Sequence, residues 1–112
     1  MADNTNGLII EDIELGTGDA VKSGDEILIH YSGTLEDGTE FDSSYSRNDP
    51  LEIQIGVGQV IKGWDEGIIG LKVGGKRKLT IPSDLAYGDG GIPGVIPPKA
   101  TLIFNVELVD IL

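Results

Sequence analysis

The stretch EILIHYSGTL, residues 26–35, decides the fold. Its side chains Ile27, Ile29 and Tyr31 fall at every second position, which is the spacing of a β-strand that buries one face. The next residues, 36–39, contain Asp-Gly, a pair that tolerates the positive φ angles of a tight turn. The sequence therefore predicts a long strand that turns back on itself, and the other elements are built outward from it.

The same alternation of apolar and polar residues recurs along the chain. It predicts further strands at residues 8–15, 40–43, 51–55, 76–81 and 101–109. The 40–43 strand is expected to turn Phe41 inward. The last strand is expected to place four apolar side chains on one face: Leu102, Phe104, Val106 and Leu108.

A single helix is predicted at residues 59–71. Its apolar residues recur at helical spacing and form one stripe: Val60, Ile61, Trp64, Ile68 and Leu71. Gly63 and Gly67 each weaken a helix by about 1 kcal/mol relative to alanine, so we expect this helix to pack closely against a sheet. The predicted fold class is α+β, with an antiparallel sheet of five or six strands wrapped around one short helix.

Length and composition limit the classes of function. The 112 residues suit one domain, predicted at residues 8–112 after a flexible tail at residues 1–7. The sequence has no cysteine, which excludes disulfides and thiol chemistry. Its net charge of -11 disfavours nucleic acid and anionic membranes as partners. The polar start and the lack of a spanning run of ~20 apolar residues lead us to expect a cytoplasmic protein.

Several motifs that carry chemistry in other proteins are incomplete here. His30 is the only histidine, so no set of metal ligands with histidine or cysteine spacing forms around it. The dinucleotide fingerprint begins with Gly56-Val57-Gly58, but Ile61 replaces its third glycine. The basic residues between positions 72 and 78 are interrupted by two glycines, and we interpret them as a solvated hairpin rather than a phosphate site. We therefore expect neither a metal nor a cofactor.

The segment YGDGGIPGVIPP, residues 87–98, is a loop by composition but carries apolar side chains. A long loop of this kind is more typical of a binding site than of a plain connection. The chain also supplies enough apolar and aromatic residues for a non-covalent pocket, although packing in the core is the alternative: Tyr31, Phe41, Val60, Ile61, Trp64, Tyr87, Ile96 and Phe104.

Six short motifs, taken together in this order and spacing, resemble the FKBP-type peptidyl-prolyl cis-trans isomerases. They are HYSG at 30–33, LEDG at 35–38, FDSS at 41–44, VIKGW at 60–64, AYG at 86–88, and IPP with ATL at 96–98 and 100–102. Each is weak alone, but the match covers nearly the whole chain from about residue 8. The resemblance implies a half-barrel sheet around a short helix. It also implies an enzyme that accelerates rotation about Xaa-Pro bonds in folding proteins, without covalent chemistry.

The resemblance further implies where the site lies. Trp64 would form the floor of a pocket for proline, and Ile61 would offer its backbone N–H to the substrate carbonyl. Asp42 and Tyr87 would form the polar rim and, with Ile61, the catalytic group. The walls and mouth would come from the remaining residues of the set: Tyr31, Phe41, Arg47, Leu51, Val60, Ile92, Ile96 and Phe104.

The partners follow from the same resemblance. We expect proline-containing peptides and unfolded client proteins as substrates, macrolides of the tacrolimus or rapamycin type as ligands, and a monomer. The alternative is a proline-directed peptide-binding module, or a chaperone, whose catalysis is incidental. The chain departs from many relatives at Leu51, Gln59 and Ile92, which would all touch the rim, so these positions bear on macrolide affinity.

Overall fold

One antiparallel sheet supports the fold in this computed structural model, which describes residues 2–3 and 7–112. The elements, in chain order, are β1 (Ala2–Asp3), β2 (Ile9–Glu14), β3 (Glu26–Leu35), β4 (Glu40–Ser43), α1 (Ser44–Arg47), β5 (Leu51–Gln54), α2 (Lys62–Gly67), β6 (Lys76–Ile81), a 3₁₀ turn (Ser83–Leu85) and β7 (Leu102–Ile111). The strands lie in the order β1-β2-β6-β7-β3-β4, and β5 pairs with β3 beside β4. The predicted α+β class, a sheet wrapped around a short helix, is confirmed.

The alternation of apolar and polar residues predicted the positions of the strands well. β3, β4 and β6 have the predicted bounds, and β2, β5 and β7 differ from prediction by one or two residues at their ends. The inward positions of β3 and β7 are buried, as the alternation predicts: Ile27, Ile29, Tyr31, Leu102, Phe104, Val106 and Leu108. These side chains form one apolar core with the inner face of α2.

The strand β3 lies at the centre because both of its edges are used. β7 pairs with one edge along residues 27–35. On the other edge, β5 pairs with residues 26–29 and β4 with residues 32–34. The break between β5 and β4 falls at His30 and Tyr31, where the hydroxyl of Ser44 takes the place of a strand partner for Tyr31.

The helix prediction was too long. The helix covers Lys62–Gly67 instead of residues 59–71, because its flanks are turned by glycines with positive φ, among them Gly58 (80°) and Gly70 (89°). After the helix, the backbone pairs with Val21 through the bonds Gly70 N–H to Val21 O and Val21 N–H to Leu71 O, both 2.9 Å. Helical periodicity does not reveal these competing backbone bonds.

The two glycines inside α2 allow the close packing that was expected. A Cβ atom at Gly67 would lie 2.9 Å from Leu79, and one at Gly63 would collide with Ile81. Both partners lie on β6, so the helix backbone approaches this strand more closely than any side chain would permit.

A second short helix, α1, was not predicted. The Ser43 hydroxyl accepts a hydrogen bond from the Ser46 N–H at 3.3 Å, and Asn48 ends the turn at φ 51°. Serine before a helix and asparagine after it are recognised cap residues. That signal was in the sequence, but one turn is too short to show apolar periodicity.

The assignment of residues 72–78 to a solvated hairpin was wrong for Arg77, whose side chain is only 10% exposed. Its guanidinium donates to the carbonyls of Gly67 and Ile69, both at 2.9 Å, and to the Asp12 carboxylate at 2.7 Å. Arg77 therefore satisfies carbonyls that the end of α2 would leave without partners, and ties α2 to β2.

The outer edge of β2 is paired along only part of its length among the described residues. β1 pairs with β2 at Ile9 and Ile10, which places Ala2–Asp3 of the predicted tail in a strand, while residues 1 and 4–6 of that tail lie outside the described residues. The rest of β2, residues 11–14, has only β6 as a described neighbour. No helix in the described part of the chain is long and apolar enough to cross a lipid bilayer.

We predict that Arg77→Lys lowers the free energy of unfolding by about 1–3 kcal/mol, because a lysine amine cannot reach all three acceptors. Urea unfolding followed by circular dichroism measures the change. The control is Lys76→Ala, which removes a 3.4 Å ion pair with Glu14 between side chains that are 46% and 59% exposed. That variant should lose less than about 1 kcal/mol. Equal losses in the two variants would contradict the role given to Arg77.

Candidate functional site

A pocket of about 440 Å³ opens between α2, the inner face of the sheet and the loop after the 3₁₀ turn. Its walls are mostly aromatic and aliphatic: Tyr31, Phe41, Asp42, Leu51, Gln59, Val60, Ile61, Trp64, Ala86, Tyr87 and Phe104. A concave apolar site with a few polar groups is the usual form of a ligand site.

Three buried aromatic rings make the base of the pocket rigid. Trp64 packs edge-to-face on Tyr31 with the ring centroids 5.1 Å apart, and on Phe104 with the centroids 5.3 Å apart. Phe41 makes a similar edge contact with Phe104 at 5.6 Å. Edge-to-face contacts of this kind fix ring orientation as well as burying area.

The indole of Trp64 carries an unusual feature for a buried group. Within the described residues, its Nε1 is the one buried side-chain polar atom without a hydrogen-bond partner. Such an orphan donor costs stability, and native proteins keep few of them. Its position at the base of an open pocket is consistent with selection for a binding surface rather than for stability alone.

The polar rim is a closed set of hydrogen bonds. The Tyr31 hydroxyl donates to Asp42 Oδ2 at 2.6 Å and accepts from Arg47 Nη2 at 3.0 Å. Arg47 Nη1 also donates to Asp42 Oδ1, which accepts the Ser43 N–H at 2.9 Å as well. Both carboxylate oxygens of Asp42 are therefore occupied before any ligand arrives.

These contacts determine which titratable groups of the rim carry a proton. Burial acts to raise the pKa of Asp42, but hydrogen bonds from Tyr31 and Arg47 outweigh it and hold that pKa below its ordinary value. Burial raises the pKa of the Tyr87 phenol, and the negative charge of Asp42 raises it further. Near neutral pH the rim therefore presents an ionised Asp42 and a protonated Tyr87.

Besides the Trp64 indole N–H, the pocket contains other hydrogen-bond donors without an acceptor. The Tyr87 hydroxyl and the Ile61 backbone N–H have no acceptor among the described residues. Ile61 stands at the N-cap of α2 in an extended conformation, and its carbonyl already accepts from Trp64 at 3.0 Å. Its N–H lacks an intrahelical partner because the helix begins just after it, and Ile61 lines the pocket.

The loop that leads into α2 was only partly foreseen. Asp65, on α2, accepts hydrogen bonds from Gly56 N–H at 2.8 Å and Gly58 N–H at 2.9 Å. The loop then continues to Gln59, which lines the pocket and whose Oε1 accepts the Gln54 N–H at 3.0 Å. Glycines before a helix indicated a tight turn, but the sequence did not reveal that a helical carboxylate holds it.

The structure brings most of the sequence-predicted site residues together, and it places three elsewhere. Arg47 reaches the site only through its bonds to Tyr31 and Asp42. Ile92 and Ile96 are joined by two backbone bonds of 2.8 Å in a tight hairpin, which turns Ile96 into the core. Ile96 borders a separate groove of about 440 Å³, together with Leu35, Gly90, Pro93, Gly94, Val95, Pro97 and Pro98.

Metal chemistry has no visible basis in this site. In the parts of the chain that the structure describes, no three acidic or histidine side chains converge in a way that could hold a metal ion. The only histidine of the sequence, His30, lies on the other face of β3, where it stacks on Tyr45 with the ring centroids 4.7 Å apart.

We predict that Gly33→Ala destabilises the protein by about 1–3 kcal/mol through overpacking. A Cβ atom there would lie 2.6 Å from the Phe41 ring and 2.7 Å from the Phe104 ring, in the wall of the pocket. The matched control is Gly90→Ala, whose Cβ would meet nothing within 4 Å, and it should change stability by less than about 0.5 kcal/mol. Equal urea midpoints for both variants would show that the two rings move aside freely.

We also predict that the stability difference between the wild type and Asp42→Asn depends on pH. The lowered pKa means that the Asp42 carboxylate stabilises the folded state above its ordinary value of 3.8, and that this contribution is lost as the pH falls through the lower folded value. At pH 7 the variant should be less stable, by at most about 1 kcal/mol because the Arg47–Asp42 pair is half exposed. Near pH 3 the difference should shrink.

Urea unfolding of both proteins at the two pH values measures this difference. The pKa of Asp37 is lowered too, by hydrogen bonds from Thr39, but its titration cancels because both proteins contain it. A difference that stays constant between the two pH values would mean that the carboxylate charge contributes nothing at this rim.

Comparison with known proteins agrees with this geometry. The model of the family described as FKBP-type peptidyl-prolyl cis-trans isomerase matches residues 18–109. An FK506-binding protein of Neisseria meningitidis serogroup B is 63% identical over 105 residues, which cover 94% of this chain and 96% of that relative. Peptidyl-prolyl cis-trans isomerase FPR2 of Saccharomyces cerevisiae is 63% identical over 89 residues, covering 79% of this chain and 66% of that relative.

A solved structure extends the agreement to the fold. The crystal structure of AtFKBP13 superposes with a TM-score of 0.92 at 43% sequence identity, covering 98% of this chain and 97% of that one. Family model, sequence relatives and fold therefore give one answer: the chain belongs to the FKBP-type peptidyl-prolyl cis-trans isomerases.

Proposed function

We propose that this isomerase binds the proline of its substrate in the aromatic pocket above Trp64. The observation that carries the proposal is the combination of an apolar pocket of about 440 Å³ with two free donors at its edge, the Ile61 N–H and the Tyr87 hydroxyl. The pyrrolidine ring would rest on the indole of Trp64. The walls would come from the other apolar residues of the pocket: Tyr31, Phe41, Leu51, Val60 and Phe104.

The proposed rate acceleration comes from the environment of the bound amide. A planar prolyl amide is held by resonance, which opposes rotation with a barrier of ~18–20 kcal/mol. The planar form is the more charge-separated one, so an apolar wall stabilises it less than the twisted form. Each ~1.4 kcal/mol of such preference speeds rotation about tenfold. No nucleophile, metal or cofactor is needed in this mechanism.

The polar residues have supporting roles in this proposal. Ile61 and Tyr87 donate to carbonyl oxygens of the substrate and hold the peptide while its prolyl bond turns. Asp42 acts through its charge, because it orients the Tyr31 hydroxyl at 2.6 Å and raises the pKa of Tyr87. An Asp42 with a lowered pKa and two occupied oxygens is a poor general base. We place Arg47 as the clamp that keeps Asp42 and Tyr31 together.

The residues of the loop support the pocket rather than form its floor. The Ile92–Ile96 hairpin fixes the loop that begins at Tyr87, and we propose that Ile92 and the exposed Val95 meet residues next to the proline. Gln59 uses its Oε1 for Gln54, so its amide nitrogen is a further donor beside the Ile61 N–H and the Tyr87 hydroxyl.

The function is tested by refolding a protein whose slow step is prolyl isomerisation, in the presence of catalytic amounts of this chain. We expect faster refolding with the wild type and with Lys76→Ala, whose ion pair lies away from the pocket. Trp64→Ala should lose most of the acceleration, because it removes the pocket floor. A wild type that binds a proline peptide in calorimetry without accelerating refolding would instead be a peptide-binding module.

We further propose macrolides of the tacrolimus or rapamycin type as ligands of the same pocket. Several relatives are named FK506-binding proteins, and Trp64 is the only tryptophan. Saturating macrolide should therefore change the fluorescence of Trp64. Binding confirmed by calorimetry with unchanged emission would place the ligand away from Trp64. A weak affinity would point to the rim residues Leu51, Gln59 and Ile92.

We propose that the protein acts as a monomer in the cytoplasm on proline-containing segments of unfolded clients. The net charge of -11 favours a monomer, because like-charged copies repel one another. A cysteine-free sequence is compatible with a reducing compartment. Light scattering of the purified protein tests the first point, and cell fractionation tests the second.

A further inference from the structure

The hydroxyl of Ser44 lies where the edge of β3 has no strand partner. Ser44 has no exposed surface. Its Oγ accepts the backbone N–H of Tyr31 at 2.7 Å and lies 3.2 Å from the Tyr31 carbonyl, to which it donates. One side chain thus satisfies both backbone groups that β4 and β5 leave open at Tyr31.

The break in the ladder has a clear geometric origin. After Ser43 the chain leaves β4 and enters α1, so it cannot continue to pair with β3. The same departure brings Arg47, the last residue of α1, back to the Tyr31 hydroxyl and to Asp42. The pocket rim therefore requires a bend that leaves Tyr31 without a strand partner on the β4 and β5 edge, and Ser44 offsets that cost.

Ser44 also connects the pocket to the opposite face of the sheet. Its Oγ lies 2.9 Å from Nδ1 of His30, and the His30 ring stacks on Tyr45 with an interplanar angle of 13°. The Tyr45 hydroxyl donates to Glu107 at 2.8 Å. These contacts hold Ser44 from outside, while Tyr31 packs against Trp64 on the inside.

We propose that Ser44 is a positioning residue for catalysis: its buried hydroxyl fixes the backbone of Tyr31, and thereby the Tyr31 ring, its contact with Trp64 and its bond to Asp42. The inference rests on the proposed function of the pocket. It assigns catalytic importance to a residue that does not line the pocket and would not touch the substrate.

The test compares three variants with the wild type. Ser44→Ala removes the hydroxyl, and Ser44→Cys keeps the shape of the side chain, slightly enlarged, with a much weaker donor and acceptor. Ile27→Val is the control, because Ile27 is buried on the same strand, does not line the pocket, and loses one methylene. For each protein we would measure the urea midpoint, kcat/KM on a Xaa-Pro peptide under folding conditions, Trp64 emission and exchange of the Tyr31 amide proton.

We expect kcat/KM to fall about tenfold in Ser44→Ala, as a displaced contact group would cause, with Ser44→Cys between it and the wild type. Tyr31 amide exchange should accelerate and Trp64 emission should shift in the same order. Ile27→Val should lower the midpoint while keeping full activity and the wild-type emission.

Two results would overturn the inference. One is full activity in Ser44→Ala despite faster exchange at Tyr31. The other is activity that follows the unfolding midpoint alone across all variants, Ile27→Val included. If Ser44→Ala does not fold, Ser44→Cys decides: reduced activity in a folded protein supports the role, and wild-type activity rejects it. An inactive wild type would instead reject the proposed function itself.

Discussion

The structure depends on one constraint: the backbone N–H and C=O groups of β3 must find hydrogen-bond partners on both edges of the strand. β7 provides partners along one edge over residues 27–35, with one shift of register between Leu28 and Ile29, so β3 and β7 form a stable base for the inward aromatic side chains. The other edge is shared between β5 and β4, and the chain that joins them has to leave the sheet and return. That excursion brings Arg47 back to Asp42, on β4, at the mouth of the pocket. The site is thus a product of how one central strand divides its hydrogen bonds.

The chemistry of the pocket follows from how few of its polar groups lack a hydrogen-bond partner. Tyr31, Asp42 and Arg47 satisfy one another, which leaves a rim of fixed charge and little capacity for proton transfer. The groups that remain are apolar walls and neutral donors, among them the Trp64 Nε1–H, the Ile61 N–H and the Tyr87 hydroxyl. Such a site suits a reaction that breaks no bond and moves no proton. This explains how a chain with one histidine and no cysteine can belong to a family of enzymes.

The sequence predicted what depends on local pattern and missed what depends on backbone geometry. β3, β4 and β6 were located to the residue because burial of one face enforces strict alternation. The length of α2 was wrong because the glycines at 56, 58 and 70 and the bonds to Val21 override an apolar stripe. The sequence did not predict α1, because a helix of a single turn is too short to show a periodic pattern of apolar residues.

The candidate site shows the same division. Motifs identified its residues as a set, and the structure gathers most of them around Trp64. Pattern alone could not show that Ile96 turns into the core or that Arg77 faces inward. Each of these features depends on a loop conformation or on the direction in which a side chain points, and composition determines neither.

The incomplete pairing of the outer edge of β2 has a consequence for encounters with other extended chains. Residues 11–14 have only β6 as a described neighbour, and an open strand edge can recruit an extended segment into the sheet. Here the edge carries Glu11, Asp12 and Glu14, and the register with β6 slips between Asp12 and Glu14. Carboxylates and an irregular register both oppose templated pairing. The sheet thus resists extension by another chain at residues 11–14.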